Sequence, residues 1–165
     1  MVCLNTDGAL SNVIGRGSID GLFRDHTGDC LFAYCKDIDT STVLEVELWR
    51  ILEGLQLARQ NGFERIVIQT DSNNAFQLVT PPSPTSPLAL VCTIADLYNR
   101  AWYVASQKIY REANVASDFI AKMTAPLDGS WKALDYFSSP LQCHLHRDIL
   151  CSSETLMYRL RPPFH

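Results

Sequence analysis

The N-terminal quarter of the chain carries three strand-like runs, and the middle alternates between helical and strand patterns. The first run, Val2-Cys3-Leu4-Asn5-Thr6-Asp7-Gly8-Ala9, reads as a short buried strand that closes on an acid with glycine after it. Residues 10–18 are polar, contain Gly15 and Gly17, and read as a loop or an irregular strand. Residues 19–24 and 30–36 are β-rich. Between them lies Asp25-His26-Thr27-Gly28-Asp29, a turn sequence with glycine placed for positive φ, so the two runs form a hairpin. With the first strand they make an antiparallel meander.

The strongest helix spans 42–61. Leu44, Leu48, Ile51, Leu52, Leu55 and Ala58 recur at helical spacing, Ser41 or Thr42 can cap the start, and Gly62 follows the end. Ile66-Val67-Ile68-Gln69-Thr70 is a fourth strand, reached by a crossover that is right-handed by rule. A short helix over 72–79, capped by Ser72, ends at the proline-rich loop 81–87. A helix over 88–100 carries Leu90, Ile94 and Leu97, a fifth strand spans 102–110, and a last helix spans 114–122. The order β-β-β-α-β-α-α-β-α describes an α/β domain with a five-stranded mixed sheet and helices on both faces. Beyond Met123 the prolines multiply and periodicity fades. Residues 1–123 therefore read as the domain, and 124–165 as an irregular tail or one packed on it.

Composition narrows the partners. The 165 residues hold 47% apolar side chains and a net charge of −4. That is enough for a core, and it argues against strong standalone binding to nucleic acid, which needs a basic surface. The strand pattern begins at once and no apolar run approaches a membrane span, so the expectation is an intracellular chain, in nucleus or cytoplasm, without signal peptide. Cys3, Cys30, Cys35, Cys92, Cys143 and Cys151 form no CxxC pair and are expected to be reduced. Cys143, His144, His146 and Cys151 fit no standard zinc spacing.

Chemistry gathers on acids. Asp7 ends the first strand and Asp71 ends the fourth, where open α/β sheets place their ligands. Glu47, in the first turns of the long helix, can face that pair, and Asp118 lies in the last helix. Singly, each has a plainer reading: Glu47 a solvated helix residue, Asp71 a helix N-cap, Asp118 a surface acid. Together they are hard oxygen donors with no histidine or cysteine, which suits Mg²⁺ or Mn²⁺. Two such ions about 4 Å apart activate a water and steady the leaving oxygen of a phosphodiester.

These stretches resemble the ribonuclease H family, in particular plant ribonuclease-H-like domains related to non-LTR retroelement reverse transcriptases. The resemblance rests on Leu4-Asn5-Thr6-Asp7-Gly8-Ala9, Gly21-Leu22-Phe23-Arg24-Asp25 with Thr27-Gly28, and Glu47-Leu48-Trp49 with Leu52-Glu53-Gly54-Leu55. It continues through Thr70-Asp71-Ser72 and Tyr110-Arg111-Glu112-Ala113-Asn114 to Asp118, covering roughly residues 2 to 123. It implies that Asp7, Glu47, Asp71 and Asp118 bind two metal ions and cut the RNA strand of an RNA–DNA hybrid. Backbone groups near Gly8 and Ala9, with Glu47 and Asn73 or Asn74, would then read the 2′-hydroxyls, with Lys108 and Arg111 as further substrate contacts. It departs in two places. Lys108 stands where the family often has a histidine, which implies reduced activity, because a lysine holds phosphate but is a poor base at neutral pH. Ile14-Gly15-Arg16-Gly17-Ser18-Ile19-Asp20-Gly21 replaces a glycine-rich strand start.

The alternative is a retroelement-derived nucleic-acid-binding module without activity, which Lys108 and the acidic charge favour. Another nuclease of the same fold is a third reading. The chain is expected to be a monomer, free or cut from a longer polyprotein.

Overall fold

The computed structural model describes residues 1–11, 16–40 and 42–111 and two further short strands. For 7–11, 16, 132–134 and 156–159 it gives the backbone course alone. The strands are β1 (Val2–Ser11), β2 (Arg16–Arg24), β3 (Cys30–Asp39), β4 (Arg65–Thr70), β5 (Tyr103–Lys108), β6 (Lys132–Leu134) and β7 (Leu156–Arg159). The helices are α1 (Val43–Gln60), α2 (Asn73–Leu78) and α3 (Ala89–Tyr98). They build one mixed sheet in the order β6-β3-β2-β1-β4-β5-β7. The β1–β4 and β4–β5 pairs are parallel and the others antiparallel.

The expected five strands form the centre of this sheet, and two stretches of the C-terminal segment extend it. β6 pairs with β3 and β7 with β5, so both flanking strands of the five-stranded core are paired. Short β-runs within proline-rich sequence carry too little periodicity to be read as strands. The helix expected over 114–122 lies outside the described residues.

Three elements have other limits than the hydrophobic pattern sets. β1 runs on to Ser11 and β2 starts at Arg16, because the antiparallel ladder continues through Leu10↔Gly17 and Ser11↔Arg16. β3 runs to Asp39, opposite Arg16. Backbone pairing satisfies these residues whatever their side chains, so polar sequence does not end the strands. The β2–β3 turn is built as read. Asp25 Oδ1 accepts from the backbone N of Thr27 at 2.9 Å and of Asp29 at 3.1 Å, and Gly28 has φ 89°. Hydrogen bonding, with the Thr27 hydroxyl first, holds the Asp25 carboxyl below its ordinary value.

α1 begins where Thr42 accepts from the Glu45 backbone N and ends at Asn61, with Gly62 at φ 74°. Its Leu48, Ile51, Leu55 and Ala58 are buried against Leu4, Phe23, Tyr34, Ile66 and Ile68 of the sheet. α2 and α3 add Ala75, Val91, Ile94 and Leu97 to this same cluster. The described helices thus share one face of the sheet. Asn5, Leu22, Cys35, Val67 and Ala105, at alternate strand positions, are buried as well.

Two glycines let α1 approach closely. A Cβ on Gly54 would lie 2.5 Å from Leu4 Cδ2 and 2.8 Å from Tyr34 Oη, and one on Gly21 would lie 2.2 Å from Tyr34 Oη. The fully buried Tyr34 ring occupies the space two side chains would need. Burial pushes its phenol well above the ordinary value, and the Asp20 and Glu53 charges push it further.

Gly21→Ala is therefore expected to lower stability by about 1–3 kcal/mol, the usual cost of overpacking. Urea unfolding measures this; an unchanged midpoint would mean that Tyr34 yields freely. A chain ending at Ala125 is expected to unfold cooperatively but at a lower midpoint, since it bares the edges of β3 and β5. Loss of all cooperative unfolding would show that the deleted segment supplies core contacts.

Candidate active site

β1 and β4 run parallel with Cys3↔Val67, Leu4↔Ile68 and Asn5↔Gln69 as partners. Asp7, on β1, and Asp71, the residue just after β4, each stand two residues past the last of these pairs, at the C-terminal end of the parallel register. The level just below is tied by side-chain amides. Asn5 Nδ2 donates to Gln69 Oε1 at 2.7 Å, and Gln69 Nε2 donates to Gln107 Oε1 at 2.7 Å. This run of amides crosses β1, β4 and β5 and fixes the strand ends relative to one another. The sequence gives little sign of it, because isolated Asn and Gln in strands look like solvent-facing residues.

Asp71 follows β4 directly. Ser72, not Asp71, caps α2: its Oγ accepts from the Ala75 backbone N at 3.2 Å. The plainer reading of Asp71 as an N-cap therefore fails, and its carboxylate is left to other partners. Arg111 Nε lies 3.6 Å from Asp71 Oδ2. Lys108 Nζ donates to the Asp71 backbone oxygen. The Ile109 backbone N donates to Thr70 O at 3.0 Å, which continues the bond between the two strand ends. Asn73 and Asn74 are exposed in the first turn of α2.

Packing contacts locate Glu47. Gly54 of α1 lies against Leu4, while Val46 Cγ2 is 2.9 Å from the Cβ position of Gly17, whose ladder partner is Leu10. α1 thus runs antiparallel to β1, and the turn that holds Val46 and Glu47 lies over the Gly17 end of the β1–β2 ladder. The Glu47 side chain is 14% exposed and is ion-paired, through Oε2, with Nη2 of Arg50, which is fully buried one helical turn on. Arg50 had no place in the sequence reading. An arginine among Leu48, Ile51 and Leu52 looks like the polar edge of an amphipathic helix.

Asp20 is the second omission. It is 1% exposed and is the ladder partner of Asp7. Its signal is an acid at a buried position of β2, flanked by Ile19 and Gly21. Gly8 and Ala9 are in β1 opposite Ile19 and Ser18. Asp118 lies outside the described residues, and so does the side chain of Asp7. Among the described residues no group of three or more His, Cys, Asp or Glu could hold a metal ion. The four expected donors are all carboxylates, a donor set that fits Mg²⁺ or Mn²⁺. The cysteines Cys3, Cys30, Cys35 and Cys92 are free thiols, and burial pushes Cys30 up to about 12. His26 is exposed in its turn, and Trp102 packs in the core with Nε1 donating to Leu97 O at 2.6 Å.

The mixed sheet, the crossover helix and the acids at adjacent strand ends define a ribonuclease-H-like α/β domain. Solved structures share it. A ribonuclease H1 from Halobacterium salinarum superposes with a TM-score of 0.60 at 20% identity, covering 68% of this chain and 88% of that one. The LC11 ribonuclease H1, solved in complex with an RNA/DNA hybrid, gives 0.62 at 18% identity, over 72% and 92%. The ribonuclease H domain of a Mycobacterium tuberculosis protein gives 0.63 at 18%, over 73% and 89%. The chain belongs to the reverse-transcriptase-like family, whose sequence model matches residues 5–124. A protein of Arabidopsis thaliana, provisionally named a ribonuclease H protein, is 28% identical over 161 residues. That match takes in 96% of this chain and 26% of the relative, so the chain spans about a quarter of the relative's length.

Arg111 is 92% exposed, so its pair with Asp71 is screened by water. Arg111→Ala is expected to change stability by less than about 0.5 kcal/mol. Chemical denaturation checks this; a larger loss would show that Arg111 anchors the site rather than hovering over it.

Proposed function

We propose that this domain is a metal-dependent endonuclease that hydrolyses the RNA strand of RNA–DNA hybrids. The observation that carries the reading is the parallel register of β1 and β4, which brings the backbone of Asp7 and of Asp71, just past β4, to one end of the sheet on which the Glu47-bearing helix packs. Support comes from the family match, whose residues 5–124 include Asp7, Glu47, Asp71 and Asp118, and from the hybrid-bound structural relative. On this reading the four carboxylates hold two Mg²⁺ or Mn²⁺ ions, which supply an activated water and charge for the leaving oxygen.

The chain's own residues do the rest. Lys108 holds the carbonyl of Asp71 and thereby orients the residue that ends β4. Arg111, exposed to solvent, is the cation that meets substrate phosphate. Asn73 and Asn74, with the backbone at Gly8 and Ala9, meet the 2′-hydroxyls that tell RNA from DNA. Sequence preference is slight on this reading, because shape and sugar carry recognition. The Arg50–Glu47 pair favours a second reading, in which the domain binds hybrids without cutting them.

A labelled RNA–DNA hybrid with Mg²⁺, then Mn²⁺, separates the two. Wild-type protein is expected to cleave only the RNA strand, and Asp71→Asn to lower the rate at least about a hundredfold with the fold intact. Binding without cleavage by the wild type would establish the non-catalytic module. Cleavage that survives Asp71→Asn would remove Asp71 from the site. Lys108→His is expected to raise the rate about tenfold and to add a dependence on pH near neutrality, where histidine titrates. An unchanged rate and pH profile would mean that Lys108 costs the enzyme nothing.

A further inference from the structure

Arg50 and Arg111 are cations of different kinds. Arg111 reaches Asp71 from solvent and can swing away. Arg50 cannot: its side chain is fully buried on the face of α1 that packs on the sheet. A guanidinium does not lose its proton in a protein, so its charge stays wherever burial puts it. Its partner Glu47 lies three residues earlier on the same helix, and helix geometry alone keeps the two side chains in contact. Arg50 also acts on Tyr34, where its charge opposes those of Asp20 and Glu53. It is thus a fixed positive charge amid acids, and it occupies one oxygen of a carboxylate that the proposed function assigns to metal.

We propose that Arg50 is a resident cation of the site: it takes over part of the charge that a divalent ion would supply at Glu47, so that Asp71, and not Glu47, sets metal affinity. The inference rests on the metal-dependent reading above. A divalent ion binding at Glu47 must share the carboxylate with the guanidinium and sits close to a like charge. Both effects weaken binding at that ligand. Asp71 carries no such burden, since its arginine is free to leave.

Calorimetric titration of Mn²⁺ into the whole chain tests this without reference to activity. Glu47→Gln is expected to change the Mn²⁺ Kd by less than about twofold, and Asp71→Asn to weaken it at least about tenfold. Arg50→Met, which keeps the volume and removes the charge, is expected to tighten Mn²⁺ about tenfold. That gain should vanish in the Arg50→Met/Glu47→Gln double variant, and Arg50→Lys should keep the wild-type Kd. Equal weakening by Glu47→Gln and Asp71→Asn overturns the inference and leaves the nuclease reading standing. Folded Arg50→Met with unchanged or weaker affinity overturns it too. Should Arg50→Met fail to fold, the Glu47→Gln and Asp71→Asn pair decides alone. No Mn²⁺ binding by the wild type at millimolar concentrations refutes the metal-dependent reading, and this inference with it.

Discussion

Everything at the site depends on how near α1 comes to the sheet. Gly54 rests on Leu4, Gly21 leaves room for the Tyr34 ring, and neither position tolerates a Cβ without a shift. The apolar residues Leu48, Ile51 and Leu55 then bury on that face, and the helix is held along β1. Glu47 is placed by this contact and by its ion pair with Arg50 one turn on. A helix held even a methyl group further out would carry its glutamate away from the sheet. The tight packing of the core is in that sense the first requirement of the chemistry.

Charge is the second constraint. Asp20 is buried, Glu47 and Asp71 are nearly so, and buried charge is unstable unless compensated. The protein compensates from two directions. Arg50 is built into α1 beside Glu47, and Lys108 and Arg111 approach Asp71 from the end of β5 and just beyond it. The inner cation is permanent and the outer ones are displaceable. On the proposed function, that difference sets where a metal ion or a phosphate enters.

Much of the fold could be read from the sequence because its signals were local and repeated. Apolar and β-rich runs marked the strands, the Leu48-to-Ala58 stripe marked α1, and Asp25 with Gly28 marked the turn. The ends of β1, β2 and β3 were not legible, because a ladder of backbone hydrogen bonds continues through polar residues without any side-chain pattern. Strands β6 and β7 escaped for the same reason, being three and four residues long. At the site, Asp7, Glu47 and Asp71 stood out through order and spacing. Arg50, Asp20 and the Asn5–Gln69–Gln107 amides did not, since burial of a polar residue is a property of the packed molecule and not of its neighbours in the chain. Nothing in the described residues tests Asp118 or the helix expected to carry it.

On the proposed function, the ends of β1 and β4 form one divalent-ion site. Paramagnetic Mn²⁺, titrated at low ratio into isotope-labelled protein, broadens the amide resonances nearest the ion. Asp7, Gly8, Asp71 and Ser72 are expected to fade first and together, while the Asp25–Asp29 turn, also acidic but remote in the ladder, keeps its intensity. Broadening that begins at the turn, or that spreads evenly over the acidic surface, would contradict that assignment.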